Sequence, residues 1–237
     1  MPVLPPRRFL WSCVLLGVML LTPIAAEAQS VIGVGVGRFM VRSAEARDGT
    51  DVLQRNQTFL NLDLGDFDGM TVGGDWLLAI NDYVEAGVGV DLHQRTVGTA
   101  YTRFLAPDGG PLPLDLTSRN VSLNFLARLF PATRIGSVQP YLGGGASLGL
   151  WRYTQAGSFV DTDLTTFRGS FVDQGVAVGP VILGGVRLPL GERLLVGGEI
   201  RYRIMQASLS GGAAFAGTTL DLGGVSTLAT LAMRFRD

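Results

Sequence analysis

The stretch DYVEAGVGVDLHQRT (Asp82–Thr96) places Glu85, Asp91, Arg95 and the chain's only histidine, His93, inside a run that otherwise has the makings of a buried strand. A histidine with a carboxylate on its own side is the base and orienting partner of a hydrolase, provided a serine or threonine hydroxyl comes within reach. Residues of equal parity share a face of a strand, so Glu85, Gly87, Gly89, Asp91, His93 and Arg95 fall together. Val84, Ala86, Val88, Val90 and Leu92 form the other face. A second cluster, NLDLGDFDG (Asn61–Gly69), spaces Asp63, Asp66 and Asp68 in the manner of a calcium loop. The closing glutamate of such a loop is missing, which leaves a solvated acidic loop that would meet divalent cations at a membrane surface.

What holds these groups is set by the rest of the chain. Its 237 residues are 47% hydrophobic and only 16% charged, apolar for a water-facing surface, and the formal net charge of −1 suggests no nucleic-acid or other polyanion partner. The 19 basic residues are all arginine, which reads first as codon bias. Arg7 and Arg8, the apolar run FLWSCVLLGVMLLTPIAA and the Ala26-Glu27-Ala28 site predict a cleaved secretory signal over residues 1–28, with the mature chain starting at Gln29. Cys13 would leave with it, so neither a disulfide nor a thiolate metal site is expected. No later segment is long and apolar enough for a spanning helix, which leaves a barrel as the only route into a membrane.

Period-two alternation predicts eight strands: Val31–Arg42, Met70–Ile80, Tyr83–Thr96, Arg119–Phe130, Gln139–Tyr153, Gln174–Leu188, Arg193–Met205 and Thr219–Phe235. Short links (Asn81–Asp82, Pro131–Val138, Pro189–Arg193) alternate with long ones (Ser43–Gly69, Val97–Ser118, Thr154–Asp173, Gln206–Thr218). Short turns at one end of a meander and long loops at the other, with an even strand number, are the pattern of outer-membrane barrels. The first strand alternates cleanly only to Gly37. A bulge there would keep Arg38 from facing outward.

Either face could be the inner one. With the apolar series inside, as in a lipocalin-like barrel, the water-facing surface would be rich in glycine (Gly143, Gly145, Gly149, Gly175, Gly179, Gly185) and poor in charge. With the polar series inside, the glycines make room beside long arginines in a lumen too narrow for anything but packed side chains. The reading is therefore an all-β fold, a closed antiparallel eight-stranded transmembrane β-barrel of up-and-down meander, spanning residues 29–237 with four long external loops. Its lumen is lined by Asp75, Glu85, Asp91, His93, Arg95, Arg128, Arg187, Glu199, Arg201, Arg203 and Arg234. Glu85 and Arg128 sit at similar heights on neighbouring strands and are expected to pair.

The strand and turn pattern, together with the final strand TLATLAMRFRD, resembles the small bacterial outer-membrane barrels of the OmpA/OmpX/OmpW type over essentially all of Val31 to Phe235. The resemblance implies an outer-membrane location in a Gram-negative-type bacterium, with lipids and lipopolysaccharide as surroundings. It also implies recognition by the barrel-assembly machinery through Leu231, Met233 and Phe235, although Arg236 and Asp237 follow the aromatic. Some barrels of this kind deacylate or acylate lipid A, but a deacylase needs its histidine beside a serine on the lipid side, and His93 has luminal parity. The leading expectation is a structural or surface-interaction scaffold with a charged, plugged lumen, without cofactor, metal or catalysis. A narrow conduit for ions or small hydrophobic molecules is the alternative, with a lipid-modifying enzyme behind it. Phe104, Leu105, Phe159, Phe167, Phe171 and Phe215 in the long links offer a surface for a ligand or a loop-packing core.

Overall fold

The computed structural model describes residues 29–106, 108–131, 137–161, 163–210 and 215–235. The expected signal segment 1–28 lies outside them. The strands are β1 (Ser30–Val41), β2 (Gly69–Asn81), β3 (Val84–Leu105), β4 (Pro111–Leu129), β5 (Gln139–Val160), β6 (Thr166–Leu190), β7 (Leu194–Arg203), β8 (Gln206–Ser208), β9 (Thr219–Asp221) and β10 (Gly224–Phe235). Eight of them close into a barrel in the order β1-β10-β7-β6-β5-β4-β3-β2, every pair antiparallel, while β8 and β9 form a small separate hairpin between β7 and β10. This is the up-and-down meander, and closure leaves no free sheet edge around the ring where backbone groups would meet lipid.

The turn-side connections follow local chemistry. Between β2 and β3 the Asn81 side chain accepts from the Tyr83 amide at 2.9 Å, an Asx turn. Between β6 and β7 the chain reverses with Gly191 at φ +78°, a left-handed position that favours glycine.

Alternate residues of the strands point outward and are apolar, as at Val34, Trp76, Phe125, Leu150, Val178, Ile182 and Leu231, all exposed. The opposite series points in and holds the buried polar residues. An exposed apolar band continuous around the ring is far larger than a water-soluble monomer tolerates, and it matches the lipid-facing belt of a transmembrane barrel.

In the strands and links the structure departs from the sequence expectation at β1, at two long links and at the last strand, expected unbroken over Thr219–Phe235 but divided into β9 and β10. β1 carries no bulge: it pairs without interruption with β2 and β10, and Arg38 does face outward, its side chain 66% exposed and bound to Asp68 at 3.3 Å. A nearby carboxylate makes the repair unnecessary. The links read as loops at Val97–Ser118 and Thr154–Asp173 are largely strand, because β3 to β6 run on past the apolar band as paired arms. Leu112, Leu114 and Leu116 keep period two there, with Pro111, Pro113 and Asp115 on the outer side.

Candidate functional site in the barrel lumen

Carboxylates reach the middle of the lumen because glycines stand opposite them. Asp75 pairs in register with Gly89 and Asp91 with Gly73, and a Cβ on either glycine would collide with the facing carboxylate. Four arginines from β4, β6 and β7 fill the space between. Arg201 bonds Asp75 at 2.6 Å and Asp91 at 3.1 Å and also holds Glu199, while Arg128 bonds Asp75 at 2.6 Å and Glu199 at 2.7 Å. Arg203 closes on Asp91 at 2.8 Å, and Arg187 takes Glu85 at 2.9 Å. All eight groups are nearly fully buried. Asp75, Glu85, Asp91 and Glu199 balance Arg128, Arg187, Arg201 and Arg203, so the low-dielectric interior carries no net charge from them.

The expected Glu85–Arg128 pair does not form. The two are register partners on β3 and β4, as their heights implied. An arginine is long enough to cross a narrow lumen, however, and Arg128 extends to Asp75 on β2 and Glu199 on β7. Glu85 is left to Arg187, whose guanidinium also lies 4.4 Å from the Phe130 ring centroid.

Neutral groups complete the cluster. The Tyr141 hydroxyl donates to Glu199 at 2.7 Å and the Asn124 amide to Asp91 at 2.8 Å. Parity puts both on the polar face, but nothing in their residue type marks them as partners of a charge. Small cavities lie beside the charges among the described residues. One of about 20 Å³ lies among Asp75, Asp91, Arg128 and Arg201, another of about 20 Å³ among Phe39, Asp91, His93 and Asn120. Each is the size of roughly one water.

Below the charges, on the turn side, Val31, Leu77, Leu126, Phe130, Tyr141, Val181, Leu183 and Leu195 form an apolar floor. Above them sits a cork built from the β1–β2 link. A short helix α1 (Val52–Asn56) starts at Asp51, whose carboxylate accepts from the Leu53 and Gln54 amides at 3.1 and 3.0 Å. The same carboxylate takes Arg47 at 2.9 Å and the Asp221 amide at 2.6 Å, fastening the cork to β9. Val52, Leu53, Leu60, Leu62, Leu64 and Phe67 then pack into the mouth against Leu114, Leu116, Trp151, Tyr153 and Leu220. Burial pushes the Tyr153 phenol well up, with its oxygen taking bonds from Asn56 at 3.0 Å and Gln155 at 2.9 Å. It also raises the Asp221 carboxyl, against the pull of the Gly223 amide, Arg47 and Arg42.

His93 lies between the charges and the cork. Its Nδ1 is 3.2 Å from the Met70 carbonyl and its ring 4.6 Å from Phe39. Arg95, one step higher, is exposed at the mouth and donates to the Asp66 carbonyl at 2.8 Å. Arg234 is half-buried opposite Val31 at the floor end. Leu231, Met233 and Phe235 point outward along β10.

The acidic link residues do not converge. Asp66 accepts from the Asp63 amide at 2.8 Å, and Asp68 accepts from the Val41 amide at 3.0 Å besides holding Arg38. Among the described residues no group of three or more His, Cys, Asp or Glu side chains is placed to hold a metal. Of the loop aromatics, Phe159 packs on Phe167 and Phe171, with centroids 5.7 and 4.8 Å away, and Phe215 packs on Tyr153 at 5.5 Å. Phe104 and Leu105 remain exposed.

Solved structures with this architecture exist. The outer membrane protein OprG from Pseudomonas aeruginosa superposes with a TM-score of 0.53 at 14% identity, covering 89% of this chain and 97% of that one. This is the fold of the small eight-stranded outer-membrane barrels. Neisserial surface protein A (TM-score 0.40, 17% identity, 88% and 97% covered) and outer membrane protein W of E. coli (0.39, 18%, 88% and 99%) are also similar. No protein-family model matches the chain, and no curated protein matches it.

Proposed function

We propose that this barrel resides in a bacterial outer membrane as a non-conducting scaffold, whose lumen is a structural core and whose work is done by the surface it presents on the loop side. The observation that carries the reading is Arg201, which ties carboxylates of β2, β3 and β7 together across the middle of the lumen. An apolar floor lies beneath and a buried cork above, and the cavities beside Asp91 between them are water-sized. A permeating ion would have to displace a salt-bridge network whose four cations balance four anions, and a hydrophobic solute would have to cross the charges, which is costly.

Catalysis does not enter the proposal. His93 faces the lumen, wedged between Phe39 and the Met70 carbonyl, whereas acyl chains would lie against the opposite face of β3. A liposome-swelling assay with small sugars and amino acids tests the reading: swelling at the rate of protein-free vesicles supports it, and solute-dependent swelling contradicts it.

A further inference from the structure

The outer face of β3 to β6 carries a polar row that the lumen does not use. Gln94, Arg119, Arg152 and Gln174 are successive register partners across these four strands, and all are exposed. The next outward row toward the turns is Leu92, Val121, Leu150 and Val176, wholly apolar. The next row toward the loops is Thr96, Thr117, Thr154 and Val172, with the Thr96 and Thr117 hydroxyls 2.9 Å apart. On β4 the outward residues from Leu129 to Val121 are all apolar, and for a tilted strand that run spans about 20 Å. The polar row therefore stands where hydrocarbon gives way to headgroups.

Arg119 and Arg152 are directly opposed, with side chains about 5 Å apart at their roots. Like charges so placed repel. Among the described residues neither side chain has a hydrogen bond or an ion pair, in contrast to the outward Arg38, which Asp68 neutralises. The row carries a surplus of positive charge, its glutamines can turn their NH2 groups toward an anion, and two guanidinium forks match the oxygens and the charge of one phosphomonoester.

We propose that Arg119 and Arg152, flanked by the amides of Gln94 and Gln174, bind the phosphate of a phosphorylated glycolipid of the lipid A type in the leaflet on the loop side. A lipid fits better than a free anion because its acyl chains would cover the row of Leu92, Val121, Leu150 and Val176 while its sugar meets the threonines above. This rests on the barrel spanning a membrane.

The test uses the exported protein refolded in phosphatidylcholine bilayers, either plain, doped with diphosphorylated lipid A, doped with dephosphorylated lipid A, or supplied with inorganic phosphate. Retained lipid is counted by native mass spectrometry. The wild type and Arg193→Gln, a charge loss on the turn side, should retain diphosphorylated lipid A, and Arg119→Gln/Arg152→Gln should bind it about tenfold more weakly. Should the double variant fail to insert, Arg152→Lys keeps the charge, loses the fork and should weaken retention several-fold. Equal retention by wild type and variants overturns the proposal, as does equal retention of dephosphorylated lipid A. If inorganic phosphate competes the lipid away completely, the site is a free-anion site and the lipid assignment fails. Wild type that does not insert even into plain bilayers overturns the membrane reading beneath it.

Discussion

Glu85 and Arg128 face one another across the β3–β4 register, yet each bonds elsewhere: Glu85 to Arg187 at 2.9 Å, Arg128 to Asp75 and Glu199 at 2.6 and 2.7 Å. Double-mutant cycles should therefore give a coupling of about 1 kcal/mol or more for Glu85 with Arg187, and a much smaller one for Glu85 with Arg128. Unfolding in urea from lipid vesicles measures both. The reverse order would show that adjacency, and not reach across the lumen, chooses the partner.

Arg201→Met should be among the most destabilising single changes in the barrel. It removes a cation shared by three buried carboxylates and leaves Asp91 with Arg203 and Asp75 and Glu199 with Arg128. Breaking a buried ion cluster from one side costs about 3–5 kcal/mol. A loss under about 1 kcal/mol in equilibrium urea unfolding would mean that the remaining arginines reorganise to cover the charge.

Gly73→Ala and Gly89→Ala should each destabilise by about 1–3 kcal/mol, although both add only a methyl group. The new Cβ would sit where the Asp91 or Asp75 carboxylate now lies and would push it off its arginines. Gly65→Ala, at a position with open space around it, is the control and should stay near wild type.

Tyr153→Phe should loosen the cork without unfolding the barrel. The buried Asn56 amide would lose its acceptor, at a cost of about 1–3 kcal/mol. Faster amide exchange confined to residues 51–67 is the expected signature. The raised phenol also predicts an alkaline limit. A group protonated more tightly in the folded state stabilises fully below its unfolded pKa, roughly 10, and that contribution fades as pH rises above it. Exchange in the cork should therefore quicken above about pH 10 in wild type, and the Tyr153→Phe protein should lack that component.

The barrel was legible because its strands obey one rule with a strong signal: apolar and polar positions alternate from Met70 to Ile80 and again from Tyr83 to Thr96, and the links alternate in length. Two failures of the same rule are informative. At Arg38 the alternation is kept and a charge is simply allowed outside, because Asp68 from the next link reaches it. At Leu112, Leu114 and Leu116 the alternation continues beyond any membrane, since the cork supplies a second core. The cork itself left traces in Asp51 ahead of Val52 and in the spacing of Leu60, Leu62 and Leu64, but a 27-residue link full of polar residues gives no hint that it folds back into the mouth. Partner choice among the charges was not legible at all. Parity and height bring eight groups to one layer, and which arginine meets which carboxylate depends on how far each reaches across the closed ring.

Planar-bilayer conductance of the refolded protein, with heat-modifiable gel migration to show that the barrel has formed, tests the plugged lumen most directly. Wild type should leave the bilayer silent, and so should Tyr153→Phe, because the charge layer and the floor persist when the cork loosens. Reproducible discrete channels from well-folded wild type would contradict the plugged lumen and would mean that the cluster around Arg201 opens to pass ions.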